Sequence, residues 1–191
     1  FNSAGEEFCL GREATGERGP LPEAYEMRGR IEVIFNVYDA FRRSKVPIIG
    51  VVQGKALGFG CALAALCDIT IASDKSRFQL PETAHRIMPT IAMSALIDRV
   101  PRKALMYLVY STDEIDAQQA LTFGLVSRVV PAKDLGAAVE RLLGHLGSCP
   151  LPTLTAVKEF ARSGYGMSVQ AATDFAKNLH ATINSSSLMR R

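Results

Sequence analysis

Two glycine-bearing bends and one lone acid are the residues of this chain whose spacing suits chemistry. From Lys45 to Glu82 the sequence runs KVPIIGVVQGKALGFGCALAALCDITIASDKSRFQLPE. An apolar run of strand length, Val46–Val52, passes through Gly54 to Gly58-Phe59-Gly60 and opens an Ala/Leu-rich segment. A strand, a glycine turn and a helix start leave backbone N–H groups aimed at one point, where they can hold an anion or a developing oxyanion. A second stretch, Phe8-Cys9-Leu10-Gly11-Arg12-Glu13, has the same character, with a glycine after a short apolar run. Two such turns facing each other supply two donors, which is what an oxyanion hole requires. Glu82, directly after Pro81, is the acid nearest this machinery.

Other readings of the same residues compete. Gly58-x-Gly60 lacks the third glycine of a dinucleotide fingerprint, because position 63 is Leu63. Gly50-x-x-x-Gly54-Lys55 is one residue short of a P-loop, and Ala56 stands where Ser or Thr would hold magnesium. Both nucleotide readings fail. Gly58 and Gly60 also have a purely structural reading, as permits for tight helix–strand packing. Glu82 beside a proline also reads as a surface cap.

The elements that must position these residues follow from periodicity. Ile31, Ile34, Phe35, Tyr38 and Phe41 recur at helical spacing and predict an amphipathic helix over 25–43. Val46–Val52 and Ile69–Ala72 lack polar alternation and predict strands buried on both faces. A buried helix is expected over 60–67, and two short helices over 93–100 and 102–110 on either side of Pro101. Asp116 is the expected N-cap of AQQALTF, Gly124 its C-terminal glycine, and Leu125–Val130 a following strand. Helices are then expected over 134–146, 152–163 and 169–183, and a surface loop over 14–23. Strands come early and helices late, so the class is α/β.

Composition narrows the field. The chain has 191 residues, 48% of them hydrophobic, which is enough for one domain with a substantial core. A formal charge of +3 with scattered basic residues argues against nucleic acid as partner. Arg42-Arg43 with Lys45, the one modest basic cluster before Arg190-Arg191, reads as a solvated helix end. Cys9, Cys61, Cys67 and Cys149 show no metal-ligand spacing and read as the reduced thiols of a cytoplasmic protein. His85, His145 and His180 are too scattered for a zinc pattern. No run approaches the ~18 apolar residues of a membrane span, and no signal peptide is visible. The opening FNSAGEEF reads as mid-chain, and the expectation is that a front piece precedes it.

With these residues in hand, a resemblance becomes specific. FCLGRE resembles the FxAGxD segment of the crotonase (enoyl-CoA hydratase/isomerase) superfamily. VPIIGVVQGKALGFGCALAALCDITIAS is similar to its second signature, PxIAxVxGxAxGGGxxLALxCDxxIA. RFQLPE, the turn at Pro89 and IDAQQALTFGLVSRVVP then follow in the family's order, so the similarity runs from about Phe8 to Lys158. The resemblance implies a spiral of ββα units, here a core over 1–146 with its front strands missing, and a C-terminal helical segment over 147–191 that assembles homotrimers or dimers of trimers. It implies an acyl-CoA thioester substrate, with coenzyme A arriving as part of that substrate and no tightly bound cofactor or metal.

Carried over residue by residue, the oxyanion donors are the backbone N–H groups of Arg12 and Phe59, after Gly11 and Gly58. The Leu10 carbonyl meets the adenine of CoA, and Glu82 is the catalytic acid/base. Phe59 stands where the family has glycine more often, which a main-chain donor tolerates. The hydratases' other glutamate position is Ala62. The aspartate position of the dehalogenases and dienoyl-CoA isomerases is Thr90. One carboxylate therefore remains, and shifting a double bond between the 3,4 and 2,3 positions needs only one. Hydration on a single glutamate is the alternative, and a degenerate acyl-CoA binder is the non-enzyme rival.

Several further residues carry expectations of their own. Glu13 keeps the acidic character of the family's Asp. Arg86, at a family glycine position, is a candidate partner of Glu82 or a cap on the acyl pocket. His85 reads as a rim residue and Lys158 as a surface lysine.

Overall fold

The computed structural model describes residues 1–12 and 22–190. Glu13, most of the loop expected over 14–23, and Arg191 lie outside the described residues. Helix α1 (Ala24–Arg43) buries Ile34 and Tyr38 on one face and carries Arg42 and Arg43 at its C-terminal end, where cations suit the helix dipole.

Strands β1 (Ile49–Val52) and β2 (Lys55–Leu57) then lead into α2 (Phe59–Leu66). The chain repeats the pattern with β3 (Ile69–Ser73), β4 (Arg77–Gln79) and α3 (Thr90–Leu96). The second unit lies parallel on the first, with Ile49 paired to Ile69 in one sheet and Lys55 to Arg77 in the other. Each ββα unit therefore gives one strand to each sheet, which makes the chain a spiral. Upstream, Phe1 exchanges hydrogen bonds with β1, and Cys9 bridges in parallel to Ala56 of β2. The segment from Phe1 to Cys9 thus lies along both strands as a further layer.

After α4 (Arg102–Ser111), β5 (Ile115–Asp116) adds antiparallel to β4, and α5 (Ala117–Thr122) leads to β6 (Arg128–Val130), parallel to β3. The sheet orders are β1-β3-β6 and β2-β4-β5. Asp116 caps α5 by accepting from Gln119 N at 2.7 Å, as its position predicts. Helices α6 (Leu135–Ser148), α7 (Leu151–Gly164) and α8 (Val169–Asn184) complete the chain. The main core gathers Phe8, Val52, Leu66, Phe78, Leu80, Leu96, Leu108 and Ile115 around α2.

Two strands are shorter than the apolar runs that predict them. Pro47 has no N–H for a ladder, and Ile48 spends its N–H on Asp68 Oδ2 at 2.7 Å. The first strand therefore begins at Ile49. Leu125 and Val126 both donate to Ala120 O and close the end of α5, which leaves β6 to start at Arg128. Three-residue strands such as β2 and β4 are too short to show any alternation, and periodicity does not predict them.

Lys158 corrects the sequence reading. It is only 7% exposed. Its Nζ lies 2.5 Å from both Asp68 oxygens and 3.3 Å from Phe41 O. The lysine pins α7 to the end of α2, and nothing near Lys158 in the sequence announces a carboxylate from so distant a segment.

Candidate functional site

A cavity of about 320 Å³ opens between α1, the Leu10–Arg12 bend, the β2–α2 turn and the Pro81–Ala92 segment. All six residues singled out from the sequence line it: Leu10, Gly11, Arg12, Gly58, Phe59 and Glu82. The strand pairing explains why. Leu57 N donates to Cys9 O at 2.9 Å on one side of β2, and Gly58 N to Gln79 O at 2.9 Å on the other. Both bends therefore leave neighbouring strands at the same end.

Glycine is required in the β2–α2 turn for two reasons. Gly58 has φ 51°, in the region that side chains rarely adopt, and a Cβ there would stand 3.3 Å from Glu82 Oε1. Gly60 packs so close to Cys9 that a Cβ would overlap its carbonyl oxygen. The packing reading of these glycines is met by this geometry. Neither Arg12 N nor Phe59 N donates to a described residue. Phe59 N lies in the first turn of α2, where the helix dipole favours negative charge.

Glu82 stands three residues past β4, in a turn held by Ile87 N donating to Glu82 O at 2.8 Å. Thr83 Oγ1 anchors that turn by donating to Val109 O at 2.8 Å. The Oε2 atom of Glu82 is buried without a hydrogen-bond partner among the described residues. Burial raises the carboxyl pKa above its usual 4.5, against smaller opposing effects of its own backbone N–H and of His85. A half-buried carboxylate of this kind is a stronger base than a solvated one.

His85 lies exposed on the cavity rim, as expected. Arg86 is a correction. It makes no ion pair with Glu82 among the described residues and does not line the cavity. It is exposed, with φ 59°, at the position where the sequence pattern calls for glycine. Ala62 is fully buried in the core, and Thr90 lies on the exposed start of α3, so neither contributes to the cavity wall.

One cavity residue escaped the sequence reading. Tyr38 was legible only as part of the buried stripe of α1, yet it lines the wall beside Glu82. The available signal was its type: a tyrosine on a buried face brings a hydroxyl that needs a partner.

A larger groove of about 510 Å³ lies between α7 and α8, lined by Phe160, Leu179, Ile183 and other apolar side chains. It holds no carboxylate and no glycine bend, so the smaller cavity is the candidate for chemistry. Among the described residues no three His, Cys, Asp or Glu side chains gather as metal ligands. No described helix is long and apolar enough to cross a membrane.

Comparison with known proteins gives these features a context. The family model described as "Enoyl-CoA hydratase/isomerase" matches residues 2–190. Human "Enoyl-CoA hydratase domain-containing protein 3, mitochondrial" is 33% identical over 144 residues, covering 75% of this chain and 46% of that protein. Its crystal structure matches with TM-score 0.89 at 26% identity, over 98% of this chain and 74% of that one. A Dictyostelium discoideum protein, "Probable enoyl-CoA hydratase, mitochondrial", is 32% identical over 168 residues, which is 87% of this chain and 59% of that protein. The chain therefore spans about half the length of these curated relatives. A structure from Thermobifida fusca, described as a putative enoyl-CoA hydratase in complex with CoA, matches with TM-score 0.82 at 25% identity, over 95% of this chain and 73% of that one.

Proposed function

The chain belongs to the enoyl-CoA hydratase/isomerase family, and from that premise we propose that it processes acyl-CoA thioesters by proton transfer beside the thioester carbonyl. The backbone N–H groups of Arg12 and Phe59 hold the carbonyl oxygen as it gains charge, and Glu82 moves the proton. The observation that carries this reading is the Glu82 carboxylate, half-buried in the same cavity as both glycine bends, with one oxygen lacking a partner among the described residues. Losing one such donor typically costs about 3–4 kcal/mol of barrier. The Leu10 carbonyl, on a residue 61% exposed at the cavity mouth, is the proposed contact for the adenine of CoA.

With Ala62 and Thr90 in place of acids, Glu82 acts without a second carboxylate. Isomerisation of a 3-enoyl to a 2-enoyl thioester needs one group that accepts a proton and returns it elsewhere, and this is the reading favoured by one acid. Hydration is the second reading, favoured by the hydratase names of the relatives. Coenzyme A enters and leaves as part of the substrate in either case. Trimeric assembly through α7 and α8 is part of the proposal, supported by exposed apolar residues such as Val157, Tyr165 and Val169. A reducing compartment, the cytoplasm, is proposed from the cysteine pattern.

The test is incubation of purified protein with 2-enoyl-CoA and 3-enoyl-CoA, following conjugated thioester absorbance and the mass of any water adduct. Turnover that disappears in Glu82→Gln is the expected result. Tight CoA binding with no turnover of either substrate would assign the chain to the degenerate binders instead.

A further inference from the structure

Tyr38 is a group in the cavity wall that the proton transfer above leaves unused. It is 2% exposed and lines the same chamber as Glu82 and the two bends. Its ring stacks on Phe59, with 5.9 Å between centroids and 18° between planes. Phe35 meets it edge-on at 6.3 Å. Two aromatic contacts hold the ring in place and so fix where the hydroxyl sits. The stack depends on Phe59 having a side chain, which a glycine at that position would lack.

The Tyr38 hydroxyl makes no hydrogen bond to a described residue, and the side chain lines the cavity. Glu82 Oε2, in the same cavity, is buried and has no partner among the described residues. Burial, and then the nearby Glu82 charge, push the tyrosine pKa up to about 12. At neutral pH it is an uncharged phenol that can donate and accept a hydrogen bond but cannot serve as a base. An uncharged donor beside a basic carboxylate suits a single neutral oxygen, in a chamber whose other polar side chains are Arg12 and His85.

We propose that Tyr38 is a specificity-determining residue that hydrogen-bonds an oxygen on the acyl chain. The cavity then prefers thioesters that carry a hydroxyl at the carbon β to the carbonyl, or a water about to become that hydroxyl. The proposal rests on the acyl-CoA reading above. The position follows from the chemistry: polarising a 2-enoyl thioester makes its β carbon electrophilic. Glu82 takes a proton from water as the water oxygen bonds to that carbon, and the double-bond electrons move onto the thioester oxygen. The carbonyl then re-forms, and the α carbon takes the proton back from Glu82. Water has been added across the double bond, and the reverse sequence removes it. Tyr38 stays protonated throughout and holds the oxygen, a task for which Ala62 offers no group.

The test is calorimetric binding of 3-hydroxybutyryl-CoA and butyryl-CoA to wild-type protein and to Tyr38→Phe. A neutral hydrogen bond is worth roughly a threefold to tenfold preference for the hydroxylated ligand. The expected result is such a preference in the wild type and its loss in Tyr38→Phe, with butyryl-CoA affinity unchanged. Because no protein hydrogen bond is removed, the melting temperature is expected to hold. If the variant nevertheless misfolds, Phe59→Leu, which releases the stack, is expected to reduce the preference while keeping the hydroxyl.

Equal weakening of both ligands in Tyr38→Phe, or no preference in the wild type, overturns the assignment while the acyl-CoA reading stands. Failure of the wild type to bind either ligand sinks both.

Discussion

Asp68 and Glu82 are both carboxylates held beneath the surface, and the structure treats them in opposite ways. Asp68, at the foot of α2, receives Lys158 on both oxygens and the Ile48 N–H on one of them. Glu82, at the cavity, has one oxygen buried with nothing to bond among the described residues. A charge supplied with its partners ties α7, β1 and α2 together and has little left to offer a ligand. A charge denied partners is held in a state that a proton or a substrate relieves, and such sites are where function concentrates.

The largest effects should separate the two residues cleanly. Glu82→Gln keeps shape and volume but removes the proposed base, so kcat/KM is expected to fall roughly 100- to 10,000-fold, the usual worth of general acid–base catalysis. Its folding stability, read by urea denaturation, is expected not to fall. Lys158→Ala reverses the pattern. It strands a buried carboxylate, at a cost of about 3–5 kcal/mol of stability, while kcat/KM per folded molecule is expected to stay within about threefold, since the pair lies outside the cavity wall. If Glu82→Gln unfolded the chain as readily as Lys158→Ala, the contrast between a structural and a functional carboxylate would be lost.

A smaller effect is expected at Gly60, where the two glycine bends meet. An added Cβ at Gly60 overlaps the Cys9 carbonyl oxygen, which belongs to backbone and cannot swing aside. Gly60→Ala should therefore push the Cys9 strand away from β2, at about 1–3 kcal/mol, the usual range for overpacking. It should also lower kcat/KM more than Lys158→Ala does, because Arg12 and Phe59 sit on the two segments forced apart. Equal catalytic losses in the two variants would mean that the spacing of the bends is unimportant.

The same division describes what the sequence made legible. Both bends, Glu82, the α1 stripe and the Asp116 cap were readable because each is a local pattern whose residue types dictate its geometry. Asp68–Lys158 was not, because it joins segments with no shared periodicity, and the lysine's own helix gives it the look of a solvated residue. Tyr38 fell between the two cases. Its burial was readable from spacing, but its place in the cavity wall depends on what α2 and the Pro81 turn set beside it. Arg86 was misread for a related reason. Proximity in sequence to Glu82 suggested an ion pair, whereas the left-handed backbone at Arg86 goes with a side chain exposed to solvent and off the cavity wall.

The smallest expected effect concerns the pH at which Glu82 changes state. Burial is the main cause that raises its pKa above 4.5, with its own backbone N–H and His85 pulling the other way. A base works deprotonated, so kcat/KM should decline as pH falls through the folded value, with an acid limb above 4.5. Stability runs in the other direction. A folded pKa raised above the unfolded one means that the native state binds the proton more tightly. Stability is then lost as pH rises from the unfolded value through the folded one, and stays lower beyond it. Glu82→Gln carries no such penalty, so it should melt higher than wild type above that window, and the gap should close towards pH 4.5 and below. Melting curves and kcat/KM measured across about pH 4 to pH 8 read both signs at once. An acid limb at or below 4.5, with no stability gap at neutral pH, would place Glu82 among ordinary solvated carboxylates and leave Asp68 nothing to be contrasted with.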